Sequence, residues 1–206
     1  MLVYVESVLT PRPGHVALVT EGVKERQMQE DVTMEKLDVR RTNDAIERLL
    51  EVTENPRHRF LLQTYYRHRY LEIAGRYEEI FVPEMTVEHP IYHFHASGLD
   101  VTLEGQEAVM GVYRHWADTN QAVFYAENEQ VAVADNFIAS VAILYQQKLG
   151  KELATAGFAV DDVDAYYLYK VPNEMIWPYD DRGRTTVLRR GHSRKQDRER
   201  KSRKRF

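Results

Sequence analysis

Two hydrophobic periods divide this chain of 206 residues. Before about residue 120, apolar side chains mostly recur every three to four positions, which is typical of amphipathic helices; after it they alternate with polar ones, which is typical of β-strands. Residues 1–42 show no sustained period and are rich in charge from Gly22 to Arg41, so we expect a poorly ordered N-terminal arm. An alternative start at Met28 or Met34 would remove most of that arm.

Two helices are predicted after the arm. The cluster Thr42-Asn43-Asp44 is typical of an N-cap and predicts a short helix that ends near Glu51. Asn55-Pro56 opens a longer helix, because proline is tolerated at the first helical position, and Gly75 is its expected C-terminal stop. The apolar side chains of the long helix fall within one broad arc, which comprises Leu61, Leu62, Tyr65, Tyr66, Tyr70 and Ile73.

Arg69 lies inside this apolar arc, one turn beyond Tyr65. Two interpretations stay open. The guanidinium either reaches solvent or pairs with an acid of the core, or it forms a charged pocket wall that fixes an anionic or carbonyl ligand. Structural pairing is the commoner of these arrangements.

Alternation predicts a strand that begins at Met85. Val87 and His89 share the face that we expect to point into the core, so His89 would point inward at the end of the strand. Pro90 cannot continue a central ladder, and we expect the strand to break there. Residues 97–102 are expected to form a loop.

The second half of the chain predicts one helix and a meander of long strands. These are the helix Gly105–Asp118, the strands Ala122–Ala134, Phe137–Lys148 and Val163–Val171, and a fourth strand or continuation at Glu174–Tyr179. Residues 150–157 are expected to be a polar connection. This order indicates an α+β fold over residues 43–188, a cone-shaped curved antiparallel sheet packed with about three helices. Such a cone encloses one apolar pocket, a common place for small ligands.

Four segments resemble a known family. LLQTYY, RYEEIFVPEMTVEHP, LEGQEAVMGVYRHW and YDDRGR are similar to segments of the SnoaL-like and ketosteroid-isomerase-like proteins of the nuclear-transport-factor-2-like (NTF2-like) superfamily. The similarity extends over residues 43–184 and implies the NTF2-like α+β barrel. That fold hosts isomerases, polyketide cyclases, dehydratases, epoxide hydrolases and non-catalytic subunits, so the resemblance specifies the fold better than the function.

The resemblance implies three catalytic positions. Tyr65 matches the tyrosine that donates a hydrogen bond to the substrate carbonyl in the isomerase-like members. His89 stands where the family has an aspartate as proton-shuttling base. Asp164 is the nearest match to a second acid that binds the oxyanion, which it could do only if it stayed protonated. Asp161 and Asp162 are alternative registers for that acid.

A histidine at position 89 keeps a base near neutral pH but changes its charge and reach. The alternative is a buried histidine that is hydrogen-bonded to Tyr65 or to the backbone. Arg69, Tyr66, His93 and Trp116 are the expected substrate-binding residues.

The spacing His-x3-His-x-His, which ends at His95, allows a metal site, but Pro90 breaks the geometry and the spacing supplies no acidic third ligand. We therefore expect no metal. No segment resembles a nucleotide-binding loop, so we also expect no cofactor.

The charge is unevenly distributed. Of the 28 Lys and Arg residues, 12 lie at or after Arg182, whereas only two of the 32 acidic residues do. Residues 189–206 are therefore expected to form a basic, disordered tail. Charge alone would let this tail bind nucleic acid, but aromatic residues are missing from it before Phe206 and no recognition module is present, so we expect no nucleic-acid partner.

Composition excludes several other classes. The sequence has no cysteine, which excludes disulfides, thiolate catalysis and zinc–thiolate sites. No run of about 18 apolar residues predicts a membrane span. The N-terminus lacks a basic stretch and contains Pro11 and Pro13, so it does not fit a secretory signal, and we expect a cytoplasmic protein. A sheet face rich in tyrosine and valine predicts a homodimer.

These observations leave two main functional hypotheses. The first is a cofactor-independent isomerase, cyclase or dehydratase (a lyase) that acts on a small hydrophobic carbonyl or hydroxyl compound, with His89 as general base. The second is a non-catalytic ligand-binding or assembly module of the same fold. Nucleic-acid binding through the tail is the weakest alternative.

Overall fold

The structure is a computed structural model that describes residues 3–6, 37–96 and 99–191. Within these residues the chain forms four α-helices: α1 (Asp44–Val52), α2 (Pro56–Ile73), α3 (Gln106–Asp118) and α4 (Gly150–Thr155). The strands are β1 (Val3–Glu6), β2 (Thr86–Ala96), β3 (Leu99–Glu104), β4 (Phe124–Ala134), β5 (Phe137–Leu149), β6 (Tyr166–Pro178) and β7 (Thr185–Gly191). Single 3-10 turns lie at Val39–Asn43 and Tyr77–Glu79.

The strands form one sheet in the order β3-β2-β7-β6-β5-β4, with β1 beside β6. The pairs β2–β3, β4–β5, β5–β6 and β6–β7 are antiparallel, whereas β2–β7 and β1–β6 are parallel. The predicted α+β class is confirmed. The sheet is mixed rather than purely antiparallel, because β7 turns back after β6 and inserts between β6 and β2.

The ends of α2 follow from local chemistry. The Asn55 side chain accepts hydrogen bonds from the backbone N–H groups of Arg57 (2.8 Å) and His58 (3.3 Å), and Pro56 is the first helical residue. Gly75 follows the helix with a φ of +70°, a conformation that favours glycine. The predicted boundaries of α2 are therefore confirmed.

The strand that contains His89 differs from the prediction. β2 continues beyond Pro90, and its register against β7 shifts between Thr86 and Ile91, which marks a bulge. The bulge changes which side chains face the core, so that Thr86, Pro90 and Tyr92 are buried whereas His89 is exposed. The predicted break at Pro90 and the inward orientation of His89 are therefore wrong.

Two predicted connections contain regular structure. Most of the expected loop at residues 97–102 belongs to β3, which pairs with β2 from Ile91 opposite Glu104 to Ala96 opposite Leu99. The connection at residues 150–157 contains α4. Both segments are short, so their periodicity gave no signal in the sequence.

β6 is one strand of 13 residues, where the sequence predicts two strands or a strand with a continuation. Its first half pairs with β1 up to Lys170, and its second half pairs with β7 from Glu174. Pro172 lies between these two stretches, where the neighbouring strand changes. The ladder with β5 continues through this position, with Pro172 opposite Ile143, but on the other edge of β6 the partner changes from β1 to β7, so no ladder is interrupted on that edge.

In the described residues, the 3-10 turn Val39–Asn43 begins before residue 43, and β7 continues past residue 188 to Gly191. Within the predicted N-terminal arm, Val3–Glu6 forms β1. The remainder of the arm up to residue 36, and residues 192–206 of the basic tail, lie outside the described residues.

The main hydrophobic core lies between α2 and the inner face of the sheet. Leu61 and Tyr65 of α2 are fully or almost fully buried in it, as is Tyr92 of β2. The Trp177 ring packs against both tyrosines, with ring centroids 5.6 Å from Tyr65 and 6.0 Å from Tyr92. These aromatic contacts fix the distance between the helix and the sheet.

A bulge in β4 makes the carboxylate of Glu129 point toward this core. The four residues from Glu127 to Gln130 of β4 face three of β5, from Ile143 to Val141, so β4 carries one extra residue. Asn128 occupies the bulge with a φ of +52°, which asparagine tolerates better than most residues. Beyond the bulge the alternation is shifted, and Glu129 is buried.

Glu129 pairs with Arg69 of α2, and their side chains are 1% and 3% exposed. Arg69 donates two hydrogen bonds to the carboxylate, a third to the backbone oxygen of Thr42 at 2.9 Å, and a fourth to the Tyr65 hydroxyl at 2.8 Å. A single guanidinium thus joins α2, β4 and the turn that precedes α1. Its donors are matched by acceptors, as a buried charge requires.

We expect Glu129→Gln to lower the free energy of unfolding by about 3–5 kcal/mol, because it leaves the buried charge of Arg69 unpaired. Urea unfolding of the wild type and the variant measures the loss. Glu88→Gln, on the exposed surface of β2, is the matched control and should change the stability little. A loss below about 1 kcal/mol in Glu129→Gln would show that the pair does not hold α2 to the sheet.

Candidate functional site

A cavity lies between α2, α3 and the inner face of the sheet, and it is partly open to solvent. Aromatic and aliphatic side chains line most of it, with a few polar groups among them, which is the usual character of small-molecule sites. The apolar and aromatic lining residues are Phe94, Tyr113, Trp116, Phe124, Leu144, Met175, Trp177 and Leu188. The more polar ones are Tyr65, His68, Arg69, Glu72, Gln146, Asn173 and Arg190.

Helix α2 supplies four of the polar groups, which are Tyr65, His68, Arg69 and Glu72. Their spacing of three or four residues places them one above the other on the face that packs on the sheet. Tyr65 and Arg69 belong to the ion-pair network described above, whereas His68 and Glu72 each lie three residues after one of them. The helix therefore supplies both the structural charge and the titratable groups of the cavity.

His68 is buried, and its ring packs edge-on against Trp177 with centroids 4.7 Å apart. Its Nε2 atom lies 3.1 Å from the Tyr113 hydroxyl and 3.7 Å from Glu72 Oε2. Burial, together with the charge of Arg69, lowers the pKa of His68 to about 3. The imidazole is therefore neutral at pH 7 and does not form an ion pair with Glu72.

The Glu72 side chain is 12% exposed, and it lines the cavity. Burial raises its pKa to about 7, against the opposing charges of Arg190, Arg69 and Lys148. A carboxyl group with a pKa near 7 can both accept and return a proton at neutral pH. Glu72 thus has the properties of a general acid–base group.

Two further cations lie near Glu72. Arg190 of β7 lines the cavity, and its Nε donates a hydrogen bond to Asn173 Oδ1 at 2.8 Å. Lys148 of β5 places its Nζ over the Trp116 ring, 5.1 Å from the centroid. Burial, reinforced by the charge of Arg190, lowers the pKa of Lys148 to about 8. Since Trp116 lines the cavity, Lys148 lies at its margin.

Three of the predicted site residues, Tyr65, Arg69 and Trp116, line the cavity. The Tyr65 hydroxyl accepts a hydrogen bond from Arg69 and lies 3.2 Å from Ser140 Oγ, so its hydrogen-bonding capacity is used within the protein. Arg69 combines both interpretations offered by the sequence, because it pairs with the core acid Glu129 and also lines the cavity wall.

The other predicted residues do not line the cavity. His89 is exposed on the outer side of the β2 bulge. The Tyr66 hydroxyl donates to Glu47 at 3.1 Å, near α1. His93 faces β3, where its Nδ1 lies 2.9 Å from Thr102 Oγ1.

Asp164 is also exposed, because it precedes the first residue of β6 and lies in the surface connection after α4. The two alternative candidates for the second acid, Asp161 and Asp162, are exposed as well. The structure therefore does not bring His89, Tyr65 and an aspartate together in one pocket.

Sequence reasoning missed His68, Glu72, Lys148 and Arg190. The first two had a usable signal, because they continue the spacing of Tyr65 and Arg69 by one turn along α2. Lys148 follows Leu144 and Gln146 on the same face of β5, so alternation alone places it inward. Arg190 had no such signal, since its strand merges with the basic tail in the sequence.

Across residues 3–6, 37–96 and 99–191, no group of three or more His, Asp or Glu side chains is placed to hold a metal ion. The Nδ1 atom of His95 instead lies 3.0 Å from Asp100 Oδ1, at the exposed edge of the sheet. In the same part of the chain, none of the helices has the length and apolar character needed to cross a membrane.

Because its pKa is raised, Glu72 should make the free energy of unfolding depend on pH. A carboxyl group that holds its proton more tightly in the folded protein favours folding below its unfolded pKa of about 4.5, and this contribution is lost as pH rises through about 7. Glu72→Gln cannot undergo that loss. Relative to the wild type, its free energy of unfolding should therefore rise by up to about 3 kcal/mol between acidic pH and pH 8.

Urea unfolding of both proteins across this pH range measures the difference. The exposed Glu78 provides the control, since Glu78→Gln should show no pH-dependent difference from the wild type. A difference for Glu72→Gln that stays constant with pH would contradict the raised pKa.

Comparisons with known proteins agree with this architecture. No family model matches the sequence, and no curated protein matches it. Among solved structures, a protein of Jannaschia sp. CCS1 whose name describes a SnoaL-like polyketide cyclase is 14% identical, with a TM-score of 0.50, over 67% of this chain and 88% of that one. A protein of Shewanella denitrificans OS-217 with the same description is 8% identical, with a TM-score of 0.52, over 70% of this chain and 98% of that one.

A third such protein, from Shewanella putrefaciens CN-32, is also 8% identical, with a TM-score of 0.52, over 70% of this chain and 97% of that one. Identities this low carry information about the fold and none about the reaction. The resemblance read from the sequence is confirmed at that level: the chain has the fold of these SnoaL-like proteins.

Proposed function

We propose that the cavity binds a small hydrophobic carbonyl compound and catalyses proton transfer at a carbon next to the carbonyl, without a cofactor. The reaction class is that of an isomerase, cyclase or dehydratase. Glu72 is the general base in this proposal, in place of the exposed His89. The single observation that carries the proposal is a carboxyl group with a pKa of about 7 in the wall of an aromatic cavity.

One residue both removes and returns the proton in this reaction. The Glu72 carboxylate removes the proton from the carbon, and the electron pair moves into the carbonyl to form an enolate. The protonated carboxyl then returns the proton to another atom of the substrate. Because the pKa of Glu72 is close to neutral pH, neither transfer leaves the residue in a strongly disfavoured state.

The developing oxyanion needs a positive partner. Arg190 lines the same cavity, and its Nε is held by Asn173, which orients the guanidinium. A charged donor in a water-poor cavity stabilises a negative oxygen more than the same donor does in water. The neutral His68 and the Tyr113 hydroxyl, paired at 3.1 Å, complete the polar wall next to Glu72.

The proposal is tested with 2-tetralone, whose acidic C–H group next to the carbonyl exchanges with deuterium in D2O. We expect the wild type to accelerate this exchange, followed by proton NMR, and Glu72→Gln to lower the rate by about 100-fold or more. The rate should rise between about pH 6 and pH 8, because Glu72 is active as a base only after losing its proton.

The exposed Glu78→Gln variant should exchange 2-tetralone as fast as the wild type. Equal rates for the wild type and Glu72→Gln would refute Glu72 as the base. Binding of 2-tetralone without any acceleration would favour the second hypothesis, a non-catalytic ligand-binding module.

The outer face of the sheet supports a proposal about assembly. Phe137 and Val141 of β5 and Ile176 of β6 are 39%, 55% and 45% exposed, and they lie on the side away from the cavity. Neighbouring apolar side chains on a flat sheet face are typical of a protein interface. We propose that two copies of the chain associate through this face.

Val141→Arg should convert the dimer to a monomer, because it places a charge within the apolar patch. Sedimentation velocity measures the change. Val52→Arg, at the 73% exposed end of α1, introduces the same charge elsewhere and should leave the dimer intact. A wild type that sediments as a monomer at micromolar concentration would overturn this assembly.

A further inference from the structure

We propose that the substrate of this cavity carries an acidic group, a carboxylate, which binds between Lys148 and Arg190. The inference rests on the proposed function and adds the chemical class of the substrate. Its carbonyl end would lie near Glu72 and its carboxylate at the margin of the cavity, on the side of Trp116. The observation that carries it is a pair of inward-facing cations for which the described residues supply no bound anion.

Lys148 is the first of these cations. Its stem lies on the inner face of β5, two residues beyond the cavity-lining Gln146, and its ammonium lies over the Trp116 ring. Among the residues that the structure describes, no hydrogen bond or ion pair to this ammonium is formed. Glu152, the nearest acid of α4, is instead bonded to His115 and Gln121, both at 2.8 Å.

Arg190 is the second cation. Its Nε is satisfied by Asn173, but within the described residues its two Nη groups have no hydrogen-bond acceptor. Asn173 is 1% exposed and lines the cavity together with Arg190, so their hydrogen bond holds the guanidinium at the cavity wall. One Nη group can donate to the substrate carboxylate beside Lys148, and the other remains for the oxyanion of the proposed reaction.

The charges around the cavity do not balance. The Arg69 charge is matched by Glu129. Lys148 and Arg190 face two carboxyl groups: Glu152, which is already hydrogen-bonded to His115 and Gln121, and Glu72, which is partly protonated at neutral pH. Cations removed from water without partners are costly, and an anionic ligand would remove that cost on binding.

The apolar part of the cavity indicates what the rest of the substrate is like. Trp116 and Phe94 contact each other edge-on, with centroids 6.4 Å apart, and Tyr113 packs against Trp116 at 5.7 Å. These rings offer an apolar, aromatic surface beside the two cations. An aromatic or conjugated acid that also has a carbonyl group fits both features.

The test compares two probes of the same shape, 3-phenylpropanoate and the neutral 3-phenylpropanamide. The chain has two tryptophans, Trp116 and Trp177, and both line the cavity, so tryptophan fluorescence reports its occupancy directly. At neutral pH and low salt we expect the carboxylate to bind about tenfold more tightly than the amide. Lys148→Met should remove most of this preference and leave the affinity for the amide unchanged.

Two variants control for nonspecific effects. Lys148→Arg keeps the charge and should keep the preference for the carboxylate. Lys151→Met, at an exposed position of α4, removes a nearby surface charge and should change nothing. If Lys148→Met unfolds, Arg190→Met tests the other cation with the same two probes. Equal affinities of the two probes for the wild type, or no measurable binding of either, would overturn the inference.

The same measurements separate this inference from the proposed function. Glu72→Gln should stop the exchange of 2-tetralone but retain the preference for the carboxylate, because the two cations remain. A carboxylate preference in a protein that does not accelerate exchange would leave an acid-binding cavity without catalysis. If the protein accelerates exchange but shows no preference for the carboxylate, the proposed proton transfer would stand and the proposal of an acidic substrate would fail.

Discussion

The structure depends on one buried ion pair, Arg69 with Glu129. It joins the long helix α2 to strand β4, and the same guanidinium also holds the turn at Thr42 and the Tyr65 hydroxyl. Its formation requires a bulge, since Asn128 must adopt a positive φ to turn Glu129 inward. The orientation of α2 about its own axis follows from this contact. His68, the residue before Arg69, and Glu72, one turn after Arg69, therefore face the cavity rather than solvent.

The cavity and the ion pair illustrate opposite outcomes of burying a charge. Arg69 and Glu129 satisfy each other, so both remain charged without water. Glu72 has no such partner, and burial instead moves its pKa into the neutral range. Burial also moves the pKa of Lys148 toward neutrality, but downward, to about 8. Proton transfer needs groups of this second kind, because a fully paired ion changes its charge only at extreme pH. The paired charges set the geometry of the cavity, and the proposed proton transfer rests on the unpaired ones.

The sequence predicts much of the fold because the relevant signals are local. Asn55 and Gly75 mark the ends of α2, and the alternation of β4 and β5 is regular on either side of the Asp135-Asn136 turn. The site was less predictable, because bulges decide it. In β2 a bulge turns His89 outward, and in β4 another turns Glu129 inward. Each depends on how one strand pairs with a distant one, which residue spacing does not record. Alternation along the chain therefore assigned the wrong face to the histidine that resemblance had marked as the base.

The central claim is that α2 presents a carboxyl group to the cavity whose proton is gained and lost near neutral pH. Carbon-13 NMR of protein labelled at the glutamate side-chain carboxyl carbon tests it directly, with the Glu72 signal identified by its absence from the spectrum of Glu72→Gln. The structure predicts a titration midpoint near 7 for this signal. A midpoint near the ordinary value of 4.5 would contradict the account, because Glu72 would then be an ordinary carboxylate with no role as a proton carrier.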